Sequence, residues 1–105
     1  MNLSANAFRG RKVSNYDNEY LGEIEDVVVD SATGKAEYAL LSFPAAGGKL
    51  FPVPLFALTV DTDAGLFTLN ADREMLRHAP GFHPDRRPDI RDPRWKSGIR
   101  SYYSF

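Results

Sequence analysis

The run Leu21-Gly22-Glu23-Ile24-Glu25-Asp26-Val27-Val28-Val29-Asp30 settles what kind of protein this chain folds into. It carries three consecutive valines, and β-branched side chains, stiff at χ1, suit a pleated, half-buried surface better than a helix. Residues 20–30 therefore read as a strand. Strict alternation sends Glu23 and Glu25 to one face and Ile24, Asp26 and Val28 to the other. Asp26 then shares a face with apolar neighbours, and two resolutions stay open. Either a bulge at Glu25-Asp26 rotates its carboxylate outward, or the carboxylate is buried and hydrogen-bonded, because an unpaired buried charge is very costly.

Turn chemistry brackets this strand on both sides. After it, Ser31-Ala32-Thr33-Gly34-Lys35 reads as a hairpin connection in which Gly34 supplies a positive φ. Residues 35–43 return as a strand, with Tyr38, Leu40 and Ser42 on one face and Ala39, Leu41 and Phe43 on the other. Pro44-Ala45-Ala46-Gly47-Gly48 breaks the pattern, and residues 49–53 resume it. Pro52 and Pro54 confine that segment to an edge or a bend, since proline donates no ladder hydrogen bond. Residues 54–58 fit one helical turn with proline first. Residues 59–61 and 66–70 make a second hairpin across Thr62-Asp63-Ala64-Gly65. Upstream, residues 11–15 form a brief strand before the polar turn Tyr16-Asp17-Asn18-Glu19. Five or six short strands at intervals of about ten residues describe a small antiparallel barrel or sandwich.

Two short helices follow. Asn70 or Asp72 caps the first, which runs to about His78, with Asp72 and Glu74 in its first turn and Arg77 and His78 in its last. Pro80-Gly81 ends it. Asp92 is an N-cap for the second, with Pro93 at the first helical position. Trp95, Ile99 and Tyr102 or Tyr103 then fall on one apolar face. Gly98 costs that helix about 1 kcal/mol relative to Ala, so the helix needs docking to persist.

The whole chain has 105 residues, thirteen basic and fourteen acidic, and no cysteine. That length fits one domain. The missing cysteines exclude disulfides, thiolate metal sites and a thiol nucleophile. A net charge of −1 is not that of a general nucleic-acid binder. Nothing approaches the ~18 consecutive apolar residues of a membrane span, and no signal-peptide core opens the chain, so a cytoplasmic location is expected. The near-neutral total hides a division. Residues 1–78 carry seven basic and eleven acidic side chains, a net of −4, and residues 79–105 carry six and three, a net of +3. Residues 1–78 thus read as the barrel body, and residues 79–105 as a Pro-rich, aromatic, basic extension that packs on the barrel or on a neighbouring subunit.

Glu23, Glu25, Asp26 and Asp30 are the densest carboxylates, but alternation puts Glu23 and Glu25 on one face and Asp26 on the other, and they read as solvated or structural. His78 and His83, with Asp85 and Asp89, straddle Pro80-Gly81 without the regular spacing of a metal site. Gly47-Gly48-Lys49 leads into extended chain, not the helix of a phosphate-binding loop. No catalytic, cofactor-binding or metal-ligating residue is assigned on these grounds. Arg86, Arg87 and Arg91, with Arg94, Lys96 and Arg100, interleave with Trp95, Tyr102 and Tyr103, a pattern that binds single-stranded nucleic acid in some proteins. Asp85, Asp89 and Asp92 dilute it. Docking of the extension is the favoured reading, with Trp95, Ile99, Tyr102 and Tyr103 as anchors of an interaction surface.

Taken in order, Leu21–Asp30, Thr33-Gly34-Lys35, Tyr38-Ala39-Leu40-Leu41-Ser42-Phe43 and Lys49-Leu50-Phe51-Pro52-Val53-Pro54 closely resemble the PRC-barrel family. Ala79-Pro80-Gly81-Phe82, Asp92-Pro93-Arg94-Trp95 and Tyr102-Tyr103 resemble the C-terminal pattern of a stand-alone bacterial subgroup. The chain departs from its relatives in the short loop at residues 44–48 and at Leu55, where many carry Trp. The resemblance implies a mainly β fold, a compact barrel of about six short antiparallel strands with one or two short C-terminal helices. In it Gly22, Asp26, Gly34, Pro52 and Pro54 serve structure. Related barrels in the cytoplasmic domain of the photosynthetic reaction-centre H subunit and in the C-terminal domain of a ribosome-maturation protein are docking modules, not catalysts. The expectation is a non-enzymatic protein-binding or assembly module, without cofactor, forming a homodimer or engaging an unknown protein partner. A ribosome- or RNA-associated accessory factor is the alternative, and a small ligand-binding barrel comes third.

Overall fold

The valine-rich run does form the central strand of the protein. The computed structural model describes residues 8–43, 47–61, 63, 65–89 and 91–104. Its elements are β1 (Lys12–Ser14), β2 (Tyr20–Val29), β3 (Ala36–Ser42), β4 (Leu50–Pro54), a 3-10 turn (Leu55–Ala57), β5 (Leu58–Asp61), β6 (Leu66–Leu69), α1 (Arg73–Arg77) and α2 (Pro93–Tyr102). The strands form one mainly β sheet in the order β4-β3-β2-β1-β6-β5. Positions 44–46 of the expected break, and Thr62 and Ala64 of the second turn, lie outside the described residues.

The sheet differs from a wholly antiparallel one at a single seam. β1 and β6 run parallel, with Val13 opposite Phe67 and Ser14 opposite Thr68. Parallel neighbours need a long crossover. Here the crossover is the entire excursion from β2 to β5, which carries the chain round to the open side of β1. The two edge strands, β4 and β5, are joined by the three-residue 3-10 turn. The sheet is thus curled into a half-barrel.

Curling requires β2 to leave one partner for another. Its first residues pair with β1, ending at Lys12 opposite Glu23, and the rest pair with β3, starting at Glu23 opposite Ser42. Gly22 sits at this change of partner. A Cβ there would lie 2.1 Å from the Ser42 carbonyl oxygen and 3.0 Å from its carbon. Only a residue without a side chain fits. Immediately beyond, Ile24 opposes Leu41 and Asp26 opposes Leu40, so Glu25 is the extra residue of a β-bulge.

The concave side is filled by Val13, Leu21, Ile24, Leu41, Phe51, Val53, Phe67 and Leu69, each almost wholly buried. β3 is buried on both faces, since Tyr38 and Leu40 are as inaccessible as Ala39 and Leu41. Alternation at residues 36–42 therefore marks two covered faces, not one wet and one dry. The extension covers part of the second. Trp95 of α2 stands edge-on to Tyr38 with ring centroids 5.6 Å apart.

Both helices start as their sequences dictate. Asp72 accepts from the Met75 amide at 2.7 Å and Asp92 from the Arg94 amide at 2.9 Å, with Pro93 in the first turn of α2. A ten-residue helix interrupted by Gly98 is marginal alone. It is held because Ile99 and Tyr103 enter the same core as Phe51 and Leu76, while Trp95 and Tyr102 pack half-buried against it. The Tyr102 hydroxyl donates to the Met75 carbonyl, tying α2 to α1.

This packing sets the stability of three variants. Gly22→Ala forces the β2 and β3 backbones apart and should cost roughly 3 kcal/mol or more in urea unfolding. In the extension, Ile99→Ala should cost about 2–5 kcal/mol by emptying core volume. Tyr103→Phe should leave stability unchanged or raise it by about 1 kcal/mol. Its hydroxyl is buried without a hydrogen-bond partner among the described residues, and the same burial pushes its ionisation strongly upward.

Candidate interaction surface

The bulge at Glu25 resolves the two readings of Asp26. It turns the carboxylate outward, where it accepts from Arg9 Nη2 at 3.3 Å and from the Val27 amide at 2.8 Å, with 40% of the side chain accessible. Glu25 is exposed and Glu23 half-buried on the strand. His78 meets Glu74 at 3.0 Å one helical turn away, and His83 stands exposed beyond Gly81. These groups are spread along the surface and share no cleft.

Gly34 has the expected positive φ, 73°, and closes the β2–β3 turn by donating to the Asp30 carbonyl at 2.7 Å. The Ala32 amide donates to the Asp30 carboxylate and is the main influence holding that carboxyl below the usual range. Pro52 and Pro54 lie in β4, an edge strand.

The proposed anchors of the extension divide into two classes. Ile99 and Tyr103 are 1% accessible and lie in their own chain's core. Trp95 and Tyr102 are half-buried on the same barrel. Lys96 pairs with Glu37 at 3.3 Å, both partners about 30% accessible, so the cationic helix meets the acidic body directly. Arg86, Arg87 and Arg91 are exposed on the segment before α2, and Arg91 lies 3.9 Å from Asp89.

The surface the sequence left unmarked lies at the two ends of β5. At one end Phe56, on the 3-10 turn, is 59% accessible, and the Arg100 guanidinium stands over its ring at 5.8 Å. A groove of about 200 Å³ adjoins them, lined by Ala36, Tyr38, Pro54 and Leu55. At the other end Leu66 is 58% accessible and opposes Asp61 across the ladder. A larger groove of about 430 Å³ runs past Leu66 over Ser14 and Thr68, with Lys12 and Asn18 on its walls.

Asn15 is the polar residue that sequence reasoning passed over. It is 5% accessible. Its Oδ1 accepts from the Asp17 amide at 3.0 Å and the Glu19 amide at 2.9 Å, and its Nδ2 donates to Glu19 Oε1 at 2.8 Å. Asn18 completes the turn at φ 62°. The signal was the Asn-x-Asp-Asn spelling, in which an asparagine side chain bonds its own backbone two residues on. Asn15→Ala should therefore cost roughly 2 kcal/mol, as it strips partners from two amides. Asp26→Asn should change stability by less than about 1 kcal/mol, the range of exposed ion pairs. Urea titrations of the two variants side by side give the comparison.

Among the described residues no helix is long and apolar enough to cross a membrane. No curated protein matches the chain. The PRC-barrel domain model matches residues 1–76, from the N-terminus through β6 and nearly all of α1, and leaves the segment carrying α2 beyond it. With its glycine-bent central strand, its curled six-stranded sheet and a match over most of its length, the chain belongs to the PRC-barrel domain family.

Proposed function

We propose that this PRC-barrel protein is a non-enzymatic binding and assembly module that self-associates as a dimer, in the cytoplasm. The observation that carries the reading is where the apolar side chains lie. The barrel interior is occupied by its own residues, and the extension adds Ile99 and Tyr103 to that core. Phe56 and Leu66 nevertheless remain more than half accessible at the two ends of one strand. Large apolar side chains flanked by charge are the usual composition of a protein-contact surface. The scattered carboxylates and histidines support a docking role over a catalytic one.

The alternative, an RNA-linked accessory factor, draws on Arg86 and Arg87, which are exposed and make no ion pair with a described residue. The body's net charge of −4 counts against it.

Sedimentation equilibrium over a wide range of protein concentration tests the main reading. A mass of two chains, falling to one on dilution, is the expected result. A single-chain mass at every concentration, with salt-sensitive RNA binding lost when Arg86, Arg87 and Arg91 become alanine, would replace it with the alternative.

A further inference from the structure

The two edges of the curled sheet are built differently. β4 is closed to further pairing. It contains Pro52 and Pro54, all five of its residues are buried, and α2 packs across it. At its start Leu50 exchanges backbone hydrogen bonds of 2.8 and 2.9 Å with Phe82 of the extension. β5 has none of this protection. Its four residues, Leu58-Thr59-Val60-Asp61, include no proline, no lysine and no bulge. Its outer edge pairs with no strand among the described residues. Leu58 and Val60 on its inner face are only half-buried. Natural sheets cover or charge their edges, because an open row of amides and carbonyls accepts another strand.

The surroundings of β5 say which strand. One end carries Asp61 and Asp63 beside the exposed Leu66; the other carries Arg100 beside the exposed Phe56 and its groove. Four residues span about 13 Å. A molecule therefore cannot bring its own Leu66 to its own Phe56. A second copy laid antiparallel against β5 brings each acidic end to the other's cationic end, twice.

The geometry points to a two-fold dimer in which β5 pairs antiparallel with β5 of a second copy. This inference rests on the self-association reading above and names its surface. Residues opposite each other in an antiparallel ladder project to the same face. Thr59, Asp61, Leu66 and Thr68 form the outer face of the β5–β6 hairpin, and Leu58, Val60, Phe67 and Leu69 the inner one. A two-fold axis normal to the sheet must therefore pass through a residue, not between two. With Thr59 on the axis, Asp61 of each copy opposes Ala57 of the other. The carboxylate then comes beside Phe56 and Arg100. Arg100 makes no ion pair with a described residue of its own chain, so the second copy supplies its counter-charge.

The chain's lack of cysteine makes this directly testable. Opposed antiparallel residues have Cα atoms about 4.5–5.5 Å apart, inside the span a disulfide bridges. Thr59→Cys should cross-link to a covalent dimer under mild oxidation by glutathione disulfide, read on a non-reducing gel. Ala32→Cys, exposed in the β2–β3 turn, should remain a single chain. Thr59→Lys places like charges on the axis and should weaken the dimer at least tenfold by sedimentation, with an unchanged far-ultraviolet circular dichroism spectrum. A dimer whose Thr59→Cys form cross-links no faster than the Ala32→Cys control, or that survives Thr59→Lys, overturns the β5 interface and leaves self-association standing. A monomer throughout overturns both.

Discussion

The fold depends on one close approach of backbones, that of Gly22 to the Ser42 carbonyl. β2 is ten residues long and serves two ladders, and Glu23 is the only residue common to both. A flat strand would hold β1 and β3 in one plane. Here register shifts lie on both sides of the change of partner, at Val13/Ser14 and at Ile24/Asp26. Such shifts bend a strand and increase its twist. With no Cβ at position 22, the bend can be tight enough to bring β6 onto β1 and to leave β4 and β5 as the two edges of the curled sheet. The orientation of Asp26 follows from the same device, because Glu25 takes up the extra step and its neighbour turns out to Arg9.

The extension belongs to this construction energetically. A half-barrel leaves the outer face of β3 and the body of β4 needing cover, and α2 needs an apolar surface in order to stay helical. Each supplies what the other lacks. Ile99 and Tyr103 complete the core, Trp95 covers Tyr38, and Phe82 occupies the start of the β4 edge. Charge runs the same way. Lys96 meets Glu37 and stands near enough to Asp30 to help hold that carboxyl low. The opposite net charges of the two segments are thus partly neutralised within one molecule, and Arg86, Arg87 and Arg100 are among the charges left without an ion pair to a described residue.

Much of this was legible in the sequence because its causes are local. Valine runs, Gly34, the caps at Asp72 and Asp92 and the apolar face of α2 each act within a few residues, and each lies where its chemistry puts it. What was not legible is pairwise. Nothing in residues 12–14 or 66–69 announces that β1 and β6 run parallel, since that depends on where four intervening strands take the chain. Alternation on β3 separated its two faces without saying that both are covered, for a related reason: a strand's wetness is decided by what lies over it, here Trp95, more than fifty residues away. Nothing in the sequence marked Phe56 and Leu66 as exposed; the curl places them at the two ends of an edge. The Glu25 bulge lay between, readable as one of two outcomes and fixed only by pairing with β3.

The difference between the edges also limits what the protein can assemble into. A sheet with two open edges can add strands at either end, and identical copies joined that way have no geometric stop. Pro52, Pro54, Phe82 and α2 all act on the β4 side, and three of the five exposed large apolar side chains among the described residues, Tyr16, Phe56 and Leu66, adjoin β5 or its hairpin partner, with the Tyr16 hydroxyl hydrogen-bonded to Thr59. One blocked edge and one open edge allow a single pairing event, which a two-fold axis closes. The family match ends within α1, so the blocking elements beyond it, Phe82 and α2, come from the extension. On that reading the extension controls assembly without touching the interface itself, by removing the competing edge.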